Sequence, residues 1–184
     1  MNQFQQRKKD VLDKEDKSSA GGWDEHVKVL CDKINSLEKY YTTSSCSGRI
    51  MVMKDQDKKG PGLFEFVSHD IVSFEDFKKK LVWLKGNCKF KQEPPIVHIA
   101  CESLEDAEKF LKLAQDSGWK RIGIISVGRN IVVEILSTEK LEFPLILNGR
   151  LMVDEDFLRM VLEKGNENLK KGWEKIEKLR QLIC

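Results

Sequence analysis

A chain of 184 residues that is 40% hydrophobic and 34% charged can bury one substantial core, with room for two subdomains, and is not the composition of a disordered segment. Its 32 Lys and Arg against 30 Asp and Glu leave a net charge of +2, too small to imply a nucleic-acid partner, so that role rests on local clustering. No apolar run approaches the length of a membrane span, residues 1–17 are too polar for a signal peptide, and five scattered cysteines without a C-x-x-C pair disfavour structural zinc and fit a reduced, cytoplasmic setting.

Residues 4–17 read as helical but have only Phe4, Val11 and Leu12 to bury, so 1–22 is expected as a partly loose helical arm and linker, broken at Ser18-Ser19-Ala20-Gly21-Gly22. Residues 23–184 are expected as a single domain. Its first helix has Asp24 near the cap and Val27, Leu30, Cys31, Ile34 and Leu37 on one face. The polar run Tyr40-Tyr41-Thr42-Thr43-Ser44-Ser45-Cys46-Ser47-Gly48 reads as a turn leading into a strand that starts at Arg49. A turn over 55–62 and a return strand over 63–69 complete a hairpin. Ser73 caps a helix that turns Phe74, Phe77, Leu81 and Leu84 inward, and 88–91 fits a short strand.

Residues 96–101 form a near-continuous apolar strand interrupted by His98. Ser103 opens the clearest helix, with Leu104, Ala107, Phe110, Leu111 and Ala114 on one face and Gly118 at its end. Strands follow at 121–127, 131–136 and 141–147, and Pro144 marks the last as an edge or bulged strand. A helix over 154–183, about 45 Å long, carries an apolar stripe in which Gly165 and Gly172 mark close packing or a bend. Phe66-Val67…Ser73-x-Glu75-Asp76 returns 30 residues later as Ile96-Val97…Ser103-x-Glu105-Asp106, which suggests duplicated strand–helix units. These elements predict an α+β fold: a mixed β-sheet with flanking helices. The absence of G-x-G-x-x-G and of G-x-x-x-x-G-K-[ST] argues against a Rossmann or doubly wound nucleotide fold.

The polar run is poor core material and good anion-binding material. Ser44 and Ser45 offer hydroxyls, Gly48 permits a left-handed turn, and Arg49 offers a planar fork for carboxylate or phosphate. His69 stands at a strand end and His98 shares a strand face with Ile96 and Ala100. His26, beside Glu25, reads as solvated. Cys46 with either strand histidine invites a thiolate–imidazole reading, and two strand histidines with scattered cysteines make no metal signature. Glu134 is the lone acid in an apolar strand, so it pairs with a basic group or lines a cleft. Lys78, Lys79, Lys80, Lys85, Lys89 and Lys91 lie in fourteen residues without an acid, with Trp83 and Phe90 between them; Lys58-Lys59 and Lys120-Arg121 extend this basic character. That flank suits RNA phosphates or, equally, the solvated face of one helix.

The run Thr42-Thr43-Ser44-Ser45-Cys46-Ser47-Gly48-Arg49-Ile50 resembles the signature of the tRNA wybutosine-synthesizing protein 3 family. Val67-Ser68-His69-Asp70, Pro94-Pro95-Ile96-Val97-His98, Gly123-Ile124, Leu141-Glu142-Phe143-Pro144 and the tail from Asn166 to Leu179 follow in the same order, from about Trp23 to the C-terminus. Leu63-Phe64 and Ile122 depart from the family's usual Trp and Ser. The resemblance implies a catalytic domain over 23–184 that uses S-adenosylmethionine to methylate a ring nitrogen of the wyosine-type base beside the anticodon of phenylalanine tRNA. It implies His69 or His98 as the catalytic group. Ser44, Ser45, Cys46, Gly48, Arg49, Gly123 and Glu134 would form the substrate and cofactor pocket, with the lysines and Trp83 on the tRNA. Methyl transfer needs alignment rather than an enzyme nucleophile, which reduces Cys46 to pocket lining. The alternatives are a non-enzymatic RNA-binding module and a Cys/His hydrolase or thiol enzyme built on Cys46.

Overall fold

The computed structural model describes residues 2–14, 24–56, 60 and 62–183; the 18–22 breaker, Trp23, Lys58-Lys59 and Cys184 lie outside the described residues. In chain order the elements are α1 (Gln3–Leu12), α2 (Glu25–Ser36), β1 (Tyr40–Cys46), β2 (Arg49–Lys54), β3 (Phe64–Ser68), α3 (Phe74–Leu81), β4 (Cys88–Glu93), β5 (Ile96–Cys101), α4 (Leu104–Asp116), β6 (Arg121–Val127), β7 (Ile131–Leu136), β8 (Leu141–Leu147), β9 (Arg150–Leu151) and α5 (Glu155–Leu182). They belong to two compact units. One comprises Met1–Ser47, Pro95–Thr138 and Trp173–Cys184, the other Gly48–Pro94 and Glu139–Gly172. Among the described residues no helix is long and apolar enough to cross a membrane.

The first unit carries a four-stranded sheet in the order β1-β5-β7-β6. Period-two alternation sends Val97, Ile99, Cys101, Val133 and Ile135 to one face. There they meet Val27, Leu30 and Ile34 of α2, Ala107 and Phe110 of α4, and Ile176 and Leu179 of α5, all buried. Each such large side chain contributes roughly 1.5–3 kcal/mol on burial. Ala100 faces the other side, where Phe4 of α1 packs against Tyr41 with ring centroids 5.2 Å apart. Within the arm expected to be partly loose, α1 is docked, with Phe4 buried, Gln5 Nε2 donating to the Glu38 carbonyl and Lys8 Nζ to the Leu37 carbonyl. Three further expectations are corrected here. The polar run is strand β1 rather than a turn, since pairing with β5 satisfies its backbone and Tyr and Thr suit a pleated surface. His26 is half-buried rather than fully solvated, stacking on Trp173 with ring centroids 3.8 Å apart. Leu104, at the first position of α4, points to solvent.

The second unit carries a five-stranded sheet in the order β3-β2-β4-β8-β9. A series of phenylalanines runs from the buried Phe77 and Phe90 (5.9 Å apart) out to the half-buried Phe66 (5.4 Å from Phe77) and Phe143 (5.1 Å from Phe90) and the exposed Phe157 (5.5 Å from Phe143). Gly165 of α5 lies over Ile50, where an added Cβ would come within 3.2 Å of the Ile50 Cδ1, so this glycine marks close packing as expected. The neighbouring asparagines fasten the same helix. Asn166 bonds both the N–H and the C=O of Val72, and Asn168 donates to the buried Gln92 at 2.8 Å. Leu145 is the extra residue between Pro144, opposite Lys89, and Ile146, opposite Cys88, which is the bulge that the proline predicts.

The α+β class is the one expected, but two antiparallel sheets replace a single mixed one. Every strand pairing among the described residues is antiparallel; short returns join β2 to β3, β6 to β7 and β8 to β9, whereas β1–β5, β2–β4, β5–β7 and β4–β8 pair across long connections. The 30-residue repeat survives as capping chemistry: Ser73 accepts from the Asp76 N–H and Ser103 from the Asp106 N–H. The preceding strands are not equivalent, because β3 is an edge strand and β5 an interior one.

Candidate functional site

The open face of the first unit's sheet carries a row of four sequence-distant residues. Ser44 stands opposite His98, His98 opposite Glu134, and Glu134 opposite Gly123, one from each strand. The Ser44 hydroxyl lies 3.1 Å from His98 Nδ1, and His98 Nε2 lies 2.8 Å from Glu134 Oε2. The His98 and Glu134 side chains are 26% and 33% exposed, so the row is accessible without being fully hydrated. A register shift between Thr42 and Ser44 makes Thr43 an extra residue and sets Ser44 opposite the imidazole. Such bulges re-aim side chains beside functional sites. Gly123 has open space where a Cβ would stand, which keeps the surface beside Glu134 clear.

A carboxylate can only accept, so Nε2–H donates to Glu134, and in the neutral imidazole Nδ1 then carries a lone pair that can accept from the Ser44 O–H. Both oxygen lone pairs of Ser44 then remain to receive a proton from outside. Cys46 lies two residues along on the same strand face, half-buried, opposite Ile96. Ser45 falls on the opposite face, where it and Thr42 hydrogen-bond the Cys31 thiol. Burial pushes that thiol up despite these bonds. Asp24 is the N-cap residue of α2, as its position near the cap suggests, but its carboxylate accepts the Ser47 N–H at 2.6 Å and fixes the end of β1.

The second unit gathers Gly48, Arg49 and His69. Gly48 has φ +96°, the left-handed conformation its sequence context suggests, and its carbonyl accepts from His69 Nδ1 at 3.0 Å. Arg49 is committed in part: Nε and Nη2 hold Glu93 Oε2 at 2.9 and 2.8 Å, and the guanidinium lies 5.5 Å from the Phe64 ring centroid. A planar fork with two donors on one carboxylate oxygen keeps others for a second anion.

The lysine cluster is divided by its partners. Lys78 pairs with Glu155, Lys79 with Asp76, Lys89 with Asp55 and Glu142, and Lys91 with Glu93 and Glu142. Lys80 and Lys85 are exposed and pair with no carboxylate among the described residues, and Trp83 is 80% exposed. Sequence reasoning passed over Glu93, the partner of Arg49, and Thr43, the bulge. Neither leaves a local signal, because both depend on which strands pair.

Antiparallel sheets, a bulged serine and a histidine held between hydroxyl and carboxylate define a class outside the doubly wound nucleotide folds. The family model described as Methyltransferase TYW3 matches residues 6–184, and the chain belongs to that family of methyl-donor-dependent enzymes. A protein of Methanocaldococcus jannaschii named tRNA(Phe) 7-((3-amino-3-carboxypropyl)-4-demethylwyosine(37)-N(4))-methyltransferase is 36% identical over 160 residues, covering 82% of this chain and 81% of its own. A Danio rerio protein named tRNA wybutosine-synthesizing protein 3 homolog is 32% identical over 188 residues, covering 98% of this chain and 74% of its own. A solved protein from Pyrococcus horikoshii superimposes with a TM-score of 0.87 at 33% identity, over 97% of this chain and 92% of that one.

Proposed function

We propose that this chain transfers a methyl group from S-adenosylmethionine to a ring nitrogen of the wyosine-type base at position 37 of phenylalanine tRNA, the reaction that names its archaeal relatives. A tRNA substrate carries with it a cytoplasmic setting. The observation that supports the chemistry is the Ser44–His98–Glu134 row.

A ring nitrogen that exchanges hydrogen for methyl must shed one proton. Ser44 Oγ accepts that proton while its own passes to His98 Nδ1, and the resulting imidazolium is held against Glu134. The nitrogen keeps the electron pair of its former N–H bond for the new N–C bond. No residue becomes covalently attached, so the reaction does not call on the Cys46 thiol as a nucleophile. When bound, S-adenosylmethionine supplies a methyl on a positively charged sulfur that departs as a neutral thioether. Within the second unit, the spare donors of Arg49 suit a ligand carboxylate or a tRNA phosphate. Gly48 and Ser47 set the backbone from which Arg49 projects, and His69 is oriented by the Gly48 carbonyl. Glu134 acts through His98 and is a positioning residue.

The test is methyl incorporation from labelled S-adenosylmethionine into precursor-bearing phenylalanine tRNA by the purified protein. Glu134→Gln removes a charge-assisted bond and should lower kcat by about 10- to 100-fold at unchanged KM, with partial rescue in Glu134→Asp. Failure of the wild-type protein to methylate this tRNA overturns the proposal.

A further inference from the structure

The end of the second unit farthest along β8 gathers groups that the methyl-transfer chemistry does not use. The turn after α3 displays Val82 (75% exposed) and Trp83 (80% exposed), and the Trp83 backbone N–H donates to the Lys80 carbonyl at 3.4 Å. Gly86, at φ +77°, carries the chain through to β4. The β8–β9 turn, with Asn148 at φ +52° and Gly149 at φ +74°, is clipped to that segment: the Asn148 N–H donates to Asn87 Oδ1 at 2.7 Å and the Gly149 N–H to the Gly86 carbonyl at 3.0 Å. Those two bonds bring Arg150 to the neighbourhood of Lys85, although 65 positions separate them in the chain (150 − 85).

Both contributing segments lack acids. None occurs between Asp76 and Glu93, or between Glu142 and Asp154. Lys80, Lys85 and Arg150 are exposed and pair with no carboxylate among the described residues. Asp55, whose N–H bonds the Asn87 carbonyl, has its own carboxylate on Lys89. An indole with four-fifths of its surface in water costs solubility and returns nothing to the core. Held beside uncompensated cations, it matches a polyanion that carries flat, unstacked rings.

We propose that Trp83, with Lys80, Lys85 and Arg150, forms a platform for an unpaired nucleotide of the tRNA substrate, the base stacking on the indole and its flanking phosphates meeting the three cations. This rests on the reading of the chain as a tRNA methyltransferase and adds a second contact on the same molecule. Stacking of one base on an aromatic changes affinity by about tenfold, and each phosphate neutralised on a single strand adds about 0.7 to the slope of log K against log salt.

The experiment measures tRNA affinity by fluorescence anisotropy over a salt series for wild type, Trp83→Ala, Trp83→Phe and the double variant Lys85→Ala/Arg150→Ala, each checked for native circular dichroism. Trp83→Ala should raise Kd about tenfold and Trp83→Phe should recover most of the loss. The double variant should lower the salt slope by about 1.4. A Kd within twofold of wild type in Trp83→Ala, or an unchanged slope in the double variant, overturns the platform while wild-type methylation leaves the enzymatic reading standing. Unchanged tRNA binding with loss of a concentration-dependent dimer in Trp83→Ala would assign the patch to a second copy of the chain and equally overturn it. A wild-type protein that binds no tRNA removes both readings.

Discussion

Gly48→Ala tests whether the link between β1 and β2 is held by a glycine for conformational and steric reasons at once. At φ +96° any residue with a Cβ is strained, at a cost of about 1–2 kcal/mol. The added Cβ would also stand 3.0 Å from the Glu93 carbonyl oxygen and 3.1 Å from Leu169 Cδ2, with Pro94 C at 3.4 Å. The first of these is backbone of β4 and cannot swing aside, so overpacking adds roughly 1–3 kcal/mol. The sum is about 2–5 kcal/mol, which for a chain of this size lowers Tm by roughly 10 °C. Gly86→Ala is the control in the same unit: φ is +77° but nothing lies within 4 Å, so only the conformational cost applies and Tm should fall by about 4 °C. Thermal unfolding followed by circular dichroism and calorimetry reads both. If Gly48→Ala is no more destabilising than Gly86→Ala, the close approach to Glu93 and Leu169 does not constrain this link.

Cys46→Ser should retain methyl transfer within about twofold, since the proposed chemistry forms no bond to sulfur; a loss comparable to that of Ser44→Ala would favour the thiol-enzyme alternative. Arg49→Lys should behave like Arg49→Ala in raising the KM for the methyl donor, because an ammonium cannot hold Glu93 and a ligand carboxylate in one plane; full activity in the lysine variant would show that only the charge matters. Burial, reinforced by the Asp106 carboxylate, lifts both the Tyr40 phenol and the Cys101 thiol to about 12. Both hold their protons in the folded state where the unfolded chain has released them, so stability is full below about pH 9 and declines as pH rises toward 12. Chemical denaturation across that range checks the sign, and a stability that rises between pH 9 and 11 would contradict it. At pH 8 an alkylating reagent read by peptide mass spectrometry should label Cys46 ahead of Cys31, Cys88 and Cys101, whose thiols burial pushes up; early labelling of Cys101 would show that its core opens readily.

The sequence by itself determined nearly all the elements, because each is a local matter of periodicity and caps. The apolar spacing of α2 and α4, the Ser73 and Ser103 caps, the alternation in β5 and β7, and Pro144 beside its bulge are all decided within a few residues. It also singled out the candidates, Ser44 from a hydroxyl-rich run and His98 and Glu134 as polar groups where strands want apolar ones. What it left open were partnerships. Whether Tyr40–Cys46 turned or paired depended on β5, 50 residues away, lying ready to satisfy its backbone. That Ser44 rather than Ser45 meets His98 follows from one bulge residue, because a slip of one position moves every side chain to the other face. The lysines divided only when carboxylates from distant segments reached Lys78, Lys89 and Lys91 and none reached Lys80 or Lys85. Strand register is a long-range choice, and in this chain it decides which of the reactive-looking residues face one another.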